Sequence, residues 1–529
     1  MPGRVRVGIV YPAPMRVALS GVAYHLIGGY LRESGAEVYG YFLEDGGLEA
    51  YPRGAPAPAR LDALLVSVSY ELSLPYAVRA LVEGGVEPSS RARRGGPVVI
   101  AGGPVPTANP LPSLGFADAV LPGEAEPVLD HILHALEAPS RDSRLSRLAS
   151  AGLLVPGRSP LPVERVYAKS LDRSWYPTSI TMPRGVEPVW GRAYPLEASR
   201  GCGRGCRFCM EGFIFRPMRH RSLQRMRELM EEGVEANGLG KVAFYSLSFF
   251  DNPWAEKALA HAVETLGVEA SVPSLRVETL TPRRIRLIAE GGQRTLTIAP
   301  ETGSCRLGAA INKAIEPGLV ARVAAAALDV GIRTVKLYLI TPLPGEGEED
   351  LEATLGLVEQ VAAEARARGG RVRVSANPFV PKPSTPLQWL GAPGVGEVRA
   401  RHRLLRRRLA RLGVEVETYD PRYAHAQAAV GRGGEPAGDL VVLWGIYGGG
   451  LGALRRAARE VGLDLEAMAG PLPVDEDPPW HGLVRHPGAS VDLLRRELQA
   501  FLGATASPPC GAAWPKPAPS QGSAGRGGG

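Results

Sequence analysis

The sequence predicts an α/β protein: an N-terminal open, Rossmann-like parallel sheet domain, then a partial (β/α)6 barrel and a small C-terminal accessory region. Two observations predict this class. Short β-branched stretches alternate with helical patterns over residues 4–138, and a second alternation begins near residue 192. A length of 529 residues, 45% of them hydrophobic, is sufficient for two to four folded domains.

Changes in composition mark the expected domain boundaries. A stretch rich in Pro, Arg and Ser interrupts the alternation, and the last stretch, which contains Cys510, has almost no aliphatic residues. We therefore expect an α/β domain over residues 1–140, a linker over 141–191, a partial barrel over 192–394, an accessory domain over 395–503 and a disordered tail over 504–529.

The first domain shows strand patterns in RVRVGIV, DALLVSVSY, GPVVIAGG and ADAVLPGE. A helical stretch over 16–34 separates the first of these from the rest, and Gly35 supplies a residue that commonly follows the end of a helix. Strands that alternate with helices predict parallel pairing, because each return to the sheet then runs in the same direction.

Six further strand patterns, each followed by a helical pattern, predict the second domain. In one of these helices Ser222 is the expected N-cap. Six consecutive βα units do not easily stay flat, so we expect a curved sheet or partial barrel. The candidate strands lie near residues 192–198, 241–248, 271–279, 293–299, 333–340 and 371–377.

One face of nearly every barrel strand is polar. Burying so many polar groups without partners would cost a few kcal/mol each, so a cavity filled by a polar cofactor and substrate explains the pattern best. For any single residue an internal hydrogen bond or a strand-end position stays an alternative. The residues of this face are Ser246 and Ser248, Ser274, Arg276 and Glu278, Thr295, Thr297 and Glu301, Lys336 and Tyr338, and Ser375 and Asn377.

Charge and hydropathy restrict the partners and the location. The net charge is +7, but only seven of the 61 basic residues are Lys, which fits a compositional bias as well as a nucleic-acid surface. The arginines of RARHRLLRRRLARLG spread around a helix, which favours a solvated face over nucleic-acid binding. The sequence has neither a signal-peptide pattern nor an apolar run of about 18 residues, so we expect a soluble, cytoplasmic protein.

Three of the five cysteines, Cys202, Cys206 and Cys209, lie within eight positions. Gly201, Gly203 and Gly205 allow the backbone to turn so that the thiolates converge on a metal. A structural zinc site would need a fourth ligand, for which His220 is the nearby candidate. Three protein ligands also suit a four-iron cluster whose remaining iron is open to chemistry.

The cysteine spacing, the aromatic Phe208 and the strand before the loop resemble the radical S-adenosylmethionine (radical SAM) superfamily. The resemblance implies a 4Fe-4S cluster on the three cysteines, with S-adenosylmethionine (SAM) on the open iron. It also implies that an electron from a low-potential donor cleaves SAM to a 5′-deoxyadenosyl radical, which abstracts hydrogen from a substrate.

The resemblance extends to about residue 390 and implies further cofactor-binding residues. Ser246 and Ser248 occupy the site where many relatives have Gly-Gly-Glu for the methionine amino group. Relatives bind the ribose and the methionine carboxylate near the positions of Glu301 and Ser304, and 343–346 matches a turn that shapes the adenine pocket. With Phe208 and the polar-face residues, the cofactor-binding set is Phe208, Ser246, Ser248, Arg276, Glu301, Ser304, Lys336 and Asn377.

The segments also resemble a branch of uncharacterised Fe-S oxidoreductase-like radical SAM proteins with an N-terminal cobalamin-binding-like domain. AGGPVPTANP, over 101–110, is similar to a Gly-Gly turn beside the nucleotide tail of cobalamin, and Ser67 or Ser69 ends the preceding strand. The Asp-x-His-x-x-Gly that supplies an axial ligand is missing, and His25 falls inside a predicted helix. Cobalamin binding and a scaffold without the cofactor both stay open.

We therefore expect a radical SAM enzyme, with cobalamin-assisted methyl transfer as one form of its reaction. An enzyme without cobalamin that acts on RNA or protein is an alternative, although methylthiolation would need three further N-terminal cysteines and none precedes Cys202. A nucleic-acid-binding protein with a structural metal is the alternative from another class. The sequence does not identify the substrate.

Overall fold

The computed structural model describes residues 4–507. Its N-terminal region forms one six-stranded sheet with the spatial order β3-β2-β1-β4-β5-β6. The β2–β3 pair is antiparallel and the other pairs are parallel. The strands are β1 (Arg6–Tyr11), β2 (Glu37–Glu44), β3 (Gly47–Tyr51), β4 (Ala63–Ser67), β5 (Val98–Gly102) and β6 (Ala119–Leu121).

Helices cover both faces of this sheet, as the apolar central strands require. Two hydrophobic clusters form, one against each face. The helical stretch expected over 16–34 is two helices, because residues 19–21 leave the helical path between them. The helices are α1 (Met15–Ala18), α2 (Val22–Glu33), α3 (Leu74–Glu83), α4 (Pro104–Ala108), α5 (Leu111–Leu114), α6 (Leu129–Leu136) and α7 (Arg141–Ser150).

The expected linker over 141–191 contains regular structure at its start. Helix α7 occupies its first ten residues, and the Ser140 hydroxyl accepts a hydrogen bond from the Ser143 amide while Ser143 binds back to the Ser140 amide. The apolar Leu148 of α7 is fully buried against the first sheet. After α7 the chain is mostly irregular, with the short strand β7 (Val163–Glu164).

The partial barrel is confirmed, and it is built from parallel strands in two groups, β12-β11-β8 and β13-β14-β15-β16. A single parallel bridge between Leu275 and Ile298 connects the groups. The strands are β8 (Tyr194–Glu197), β11 (Lys241–Tyr245), β12 (Glu269–Ser271), β13 (Thr295–Glu301), β14 (Thr334–Ile340), β15 (Arg371–Asn377) and β16 (Glu415–Thr418). The antiparallel pair β9 (Ser199–Arg200) and β10 (Arg219–His220) closes a loop after β8.

Two barrel strands differ from the sequence-based expectation. The strand expected over 271–279 is only β12, which ends before Pro273, a residue without an amide hydrogen for the ladder. A seventh strand, β16, pairs with β15 although it lies in the expected accessory region. Its EVET sequence contains no apolar run that would predict a strand. An edge strand does not need such a run, because one of its sides is unpaired.

Most barrel helices pack their apolar sides on the strands and form the largest hydrophobic cluster. Ser222 caps α9 as expected, accepting a hydrogen bond from the Arg225 amide at 3.2 Å. The helices are α8 (Glu211–Ile214), α9 (Leu223–Asn237), α10 (Ala255–Ala260), α11 (Pro282–Glu290), α12 (Cys305–Ala310), α13 (Pro317–Asp329), α14 (Glu348–Ala367) and α15 (Val395–Ala410).

The remaining C-terminal elements pack in two separate places. The α16–α18 segment joins the hydrophobic cluster on one face of the N-terminal sheet, whereas the last helix packs against α12 beside the barrel. These elements are α16 (Pro421–Gly431), α17 (Ala437–Ile446), α18 (Leu451–Val461), α19 (Leu465–Ala469), β17 (Val484–Arg485) and α20 (Val491–Ala506). Helix α20 extends into the tail expected from residue 504, and the rest of that tail lies outside the described residues.

None of the helices within residues 4–507 has the length and apolar character that a bilayer crossing requires.

The contact of Gly115 with Gly438 fixes α17 on the N-terminal sheet and yields a stability prediction. A Cβ atom on Gly115 would lie 2.2 Å from the Gly438 carbonyl oxygen, whereas a Cβ on Gly356 in α14 would meet nothing within 4 Å. We expect Gly115→Ala to destabilise the protein by about 1–3 kcal/mol through overpacking. Gly356→Ala should stabilise it by about 0.5–1 kcal/mol through helix propensity.

Unfolding temperatures of the two variants and the parent protein, measured by differential scanning calorimetry, test this prediction. The Gly356→Ala variant is the matched control because both changes add one methyl group at a glycine. Equal unfolding temperatures for the two variants would show that the chains of α17 and the N-terminal domain are not in close contact.

Candidate active site

The three clustered cysteines lie in the loop that the β9–β10 pair closes, next to the carboxyl end of the first barrel strand. Gly201 begins the loop with φ +79°, and a Cβ there would lie 2.3 Å from the Phe215 carbonyl oxygen. Gly205 also has a positive φ, whereas Gly203 does not. Only two of the three glycines thus have the backbone conformation that the sequence led us to expect.

Cys206 is buried, Cys202 and Cys209 are partly buried, and the three thiols act on one another electrostatically. Burial raises the pKa of Cys202, and burial together with the charge of Cys206 raises the pKa of Cys209 to about 12. Cys206 itself is 8% exposed. Three thiolates can therefore persist together here only if a positively charged group binds them.

The ligand arrangement does not match a single-ion site. Within residues 4–507, no group of three or more His, Cys, Asp or Glu side chains is arranged to hold one metal ion. His220, the candidate fourth zinc ligand, is half-buried, and its charged neighbour is Asp251. Three cysteine ligands suit an iron-sulfur cluster with protein ligands on three of its irons.

Four charged side chains pack beside Cys202 and Cys206, and we refer to Arg204, Asp251, Arg276 and Glu278 as the charge cluster. Arg204 donates to Asp251 at 2.7 Å through Nε, and Ser248 donates its hydroxyl to the same carboxylate at 2.6 Å. Arg276 donates Nη1 to the Cys206 sulfur at 3.5 Å. The arginines keep the pKa of the Asp251 carboxyl below its usual range despite its burial.

A buried carboxylate, Glu124, connects the N-terminal domain to the cysteine loop. Its oxygens accept hydrogen bonds from Arg200 at 2.9 Å and from Arg219 at 2.6 and 2.8 Å, and Arg165 lies 3.5 Å away. The Ala168 amide also donates to it at 2.9 Å. Arg200 and Arg219 belong to β9 and β10, so both ends of the loop bind the same carboxylate.

A cavity of about 400 Å³, the interdomain cavity, lies between the carboxyl edge of the N-terminal sheet and the cysteine loop. A side chain on Gly102 would project into open space there, since a Cβ would meet nothing within 4 Å. The lining is mostly apolar, and the carboxylates and Arg200 of the Glu124 network lie at one side. Its lining residues from the sheet edge and the barrel include Ser67, Gly102, Gly103, Gly123, Ser199, Gly201, Tyr245, Ser246 and Leu247.

A second cavity of about 310 Å³, the barrel cavity, is lined by residues at the carboxyl ends of barrel strands and by Phe208 of the cysteine loop. Its lining residues are Phe208, Glu301, Tyr338, Ile340, Asn377, Pro378, Phe379, Val380 and Lys382. Glu301 is held with φ +67°, a rare conformation for a residue with a side chain, and it accepts a hydrogen bond from buried Lys313 at 2.7 Å. Aromatic walls with a few fixed polar groups are typical of a small-molecule site.

The expected cofactor-binding residues separate into three groups. Phe208, Glu301 and Asn377 meet in the barrel cavity. Arg276 contacts Cys206 and Ser248 contacts Asp251, both in or beside the charge cluster.

Three other expected residues lie apart from the barrel cavity. Ser246 lines the interdomain cavity, where its hydroxyl lies 2.5 Å from that of Ser199. Ser304 caps α12 and donates to Asp350 at 2.5 Å, and Lys336 of β14 binds Glu417 at 2.9 Å on β16, two strands away in the sheet.

Several site residues were not identified from the sequence. Lys313 and Asp251 both lie in segments that resemble the family, INK and SLSFFD, yet neither stands on a strand. Lys382 binds Glu71 of the N-terminal domain at 2.6 Å, a contact across 311 residues. Asp251 lies six residues after the end of β11 and Lys382 five after the end of β15, so the alternation within the strands marks neither of them.

The sequence matches two families of known proteins. Residues 196–358 match the family described as the Radical SAM superfamily, and residues 55–156 match the family described as Radical SAM proteins, N-terminal. An uncharacterized protein of Methanocaldococcus jannaschii is 32% identical over 72% of this chain and 78% of its own length. An uncharacterized methyltransferase of Pyrococcus horikoshii is 24% identical over 50% of this chain and 58% of its own length.

Solved structures share the fold. The radical S-adenosylmethionine methyltransferase TsrM from Kitasatospora setae, with tryptophan substrate and a SAM analog bound, matches with a TM-score of 0.51 and 17% identity, over 70% of this chain and 72% of that chain. The cobalamin-dependent S-adenosylmethionine radical enzyme OxsB, with aqua-cobalamin and S-adenosylmethionine bound, matches with a TM-score of 0.50 and 12% identity, over 94% of this chain and 79% of that chain. At these identities the likeness is one of fold.

His25 lies in α2 beside the interdomain cavity but is not part of its lining, and it yields a pH prediction. Its Nε2 lies 3.0 Å from the Leu19 carbonyl oxygen, and burial lowers its pKa to about 4. The unfolded chain therefore binds an extra proton below pH about 6.5, so the stabilising contribution of neutral His25 is present above that pH and is lost as the pH falls.

We expect His25→Gln, whose amide can still donate to Leu19, to reduce the loss of stability between pH 7 and pH 5 by about 2 kcal/mol. Chemical unfolding at the two pH values measures it. Replacement of His134, whose side chain is 73% exposed, by Gln is the control and should change nothing. An unaltered pH dependence in His25→Gln would mean that His25 is not held neutral by the fold.

Proposed function

The chain belongs to the radical SAM superfamily, in the branch with an N-terminal cobalamin-binding-like domain, and from this premise we propose that it is an enzyme which cleaves SAM reductively to activate a substrate C–H bond. We propose methyl transfer assisted by cobalamin as the reaction. The observation that supports this most is that the cysteine loop contributes to both cavities: Gly201 and Phe215 line the interdomain cavity, and Phe208 lines the barrel cavity.

The thiols of Cys202, Cys206 and Cys209 would hold a 4Fe-4S cluster, and their chemistry fits that group. Their burial and mutual repulsion favour neutral thiols in the isolated chain, so a positively charged iron-sulfur core is the partner they require. A bound cluster with SAM on its open iron supplies one-electron cleavage of the sulfonium to a 5′-deoxyadenosyl radical.

The barrel cavity would bind SAM. Phe208 and Tyr338 offer aromatic surface, and Glu301 and Asn377 offer polar atoms for a ribose or an adenine. Lys313 fixes the Glu301 carboxylate, so the oxygen positions are set before a ligand arrives. The loop from β9 to β10 is anchored by Phe213, which is buried in a hydrophobic cluster with α12 and α20.

The interdomain cavity would receive the corrin of cobalamin, which when bound supplies a carrier for a methyl group. Gly102 and Gly103 lie at the carboxyl edge of the sheet, where a ligand tail can approach the backbone, and Gly103 has φ +111°. The described residues that line the cavity include no imidazole and no thioether, so its apolar side chains and the backbone at Gly102 and Gly103 would hold the group.

The reaction needs a low-potential electron donor, and we propose the cytoplasm as its location because a reducing compartment preserves such a cluster. A nucleic-acid substrate is not favoured. On α15, Arg408 binds Glu352 and Arg401 binds Glu348, both at 3.0 Å, so carboxylates neutralise part of the basic helix.

Anaerobic reconstitution with iron and sulfide tests the cluster assignment. We expect about four irons per chain and formation of 5′-deoxyadenosine from SAM with a strong reductant. Cys202→Ala, Cys206→Ala and Cys209→Ala should each abolish cleavage. The control His220→Ala should retain iron and cleavage, because His220 is a ligand only in a zinc site; one zinc per chain and no cleavage would refute the proposal.

Gly102→Phe tests the cobalamin site, because a phenyl group at this position would enter the interdomain cavity. We expect the variant to lose at least tenfold in affinity for hydroxocobalamin, measured by absorbance titration, while its iron content stays that of the parent. Gly95→Phe is the matched control, since Gly95 also has open space but does not line the cavity. Equal cobalamin affinity in both variants would contradict the assignment.

A further inference from the structure

One member of the charge cluster is directed at a cysteine sulfur. Nη1 of Arg276 donates to the Cys206 sulfur at 3.5 Å, and Glu278 Oε1 accepts from Nε of the same arginine at 2.6 Å. The Arg276 side chain is 12% exposed and that of Glu278 is 20% exposed. A carboxylate bound to one edge of a guanidinium fixes the direction of the other edge, so Glu278 orients the hydrogen bond to the sulfur.

The other cations near the thiols are used differently. Arg204 places two nitrogens on Asp251, and Lys313 places its ammonium on Glu301 at 2.7 Å. Each of these pairs is neutral overall, and among the described residues neither the Arg204 nor the Lys313 side chain donates a hydrogen bond to a cysteine sulfur, although the charge of Lys313 acts on Cys206. Arg276 is thus the cation that contacts a cluster ligand directly, with Glu278 as its counter-charge.

A positive hydrogen-bond donor on a ligand sulfur favours the reduced state of an iron-sulfur cluster, because reduction adds one negative charge that the donor stabilises. The effect is strong at a buried site, where water does not screen the charge. The carboxylate of Glu278 acts in the opposite direction, and its Oε2 is buried without a hydrogen-bond partner, so its charge is not spread over further donors.

We propose that Arg276, positioned by Glu278, sets the reduction potential of the cluster through its hydrogen bond to Cys206. The proposal rests on the proposed function, since it assumes a 4Fe-4S cluster on the three thiols. Arg276 raises the potential and Glu278 limits the rise, so the pair determines how strong an electron donor the enzyme requires. Glu278 is a positioning residue in this scheme.

Redox titration of the reconstituted protein without SAM tests the proposal. Titanium(III) citrate gives one electron to each cluster and becomes titanium(IV), and electron paramagnetic resonance measures the reduced fraction. We expect Arg276→Met to lower the ratio of reduced to oxidised cluster at least tenfold at a fixed potential, a shift of about 59 mV to more negative values. Glu278→Gln should shift the potential in the positive direction, because it removes a negative charge and keeps an acceptor for Arg276.

Potential shifts of opposite sign in the two variants distinguish this role from a purely structural one. A structural role would reduce the cluster content of both variants without shifting their potentials in opposite directions. Arg322→Met is the control. Arg322 is exposed on α13, and its ion pair is with Glu316, the N-cap residue of the same helix. If Arg276→Met does not hold a cluster, Arg276→Lys replaces it and should shift the potential less, in the same negative direction. If neither Arg276 variant forms a cluster, the direction of the potential shift in Glu278→Gln tests the proposal.

Shifts of the same sign in the Arg276 and Glu278 variants, or an unchanged potential in a fully loaded Arg276→Met protein, would overturn the proposal. A parent protein that forms no 4Fe-4S cluster would instead refute the proposed function, so the two failures are distinguishable.

Discussion

The site depends on one buried carboxylate. Glu124 follows the last strand of the N-terminal sheet, and it binds Arg200 and Arg219 at the two ends of the cysteine loop. Its side chain is 3% exposed, so each arginine interaction takes place away from water, and removal of either partner would leave a buried charge uncompensated. Glu124 and Arg200 also line the interdomain cavity, so the hydrogen bond between them connects this cavity to the start of the cysteine loop. The two domains and the three thiols are therefore positioned together.

Much of this arrangement could be predicted from the sequence, because its signals are local. The cysteine spacing identified the loop, and alternating strands and helices identified both sheets. The alternation of polar residues along the barrel strands predicted a site residue where that face meets a cavity, as for Asn377. It did not where another strand of the sheet supplied a partner, as for Lys336 with Glu417. A strand pattern indicates which side chains share a face, but it does not indicate whether that face meets a cavity or a counter-charge.

The remaining features depend on contacts between distant segments. In the sequence, Glu124 is an ordinary residue near the start of a helix. In the structure, its side-chain partners lie 41 to 95 residues away along the chain. Strand β16 has no apolar pattern, and the close contact of Gly115 with Gly438 joins regions that the sequence assigned to separate domains. Such long-range pairs carry little signal in a single sequence, because each partner alone is compatible with an exposed position.

The proposed chemistry requires that one iron of a three-cysteine cluster is available to bind SAM. Mössbauer spectroscopy of protein reconstituted with ⁵⁷Fe, recorded before and after the addition of SAM, tests that claim directly. The account predicts that one iron site changes its isomer shift on addition of SAM while the sites bound to cysteine do not. A spectrum in which every iron site is unaffected by SAM would contradict it.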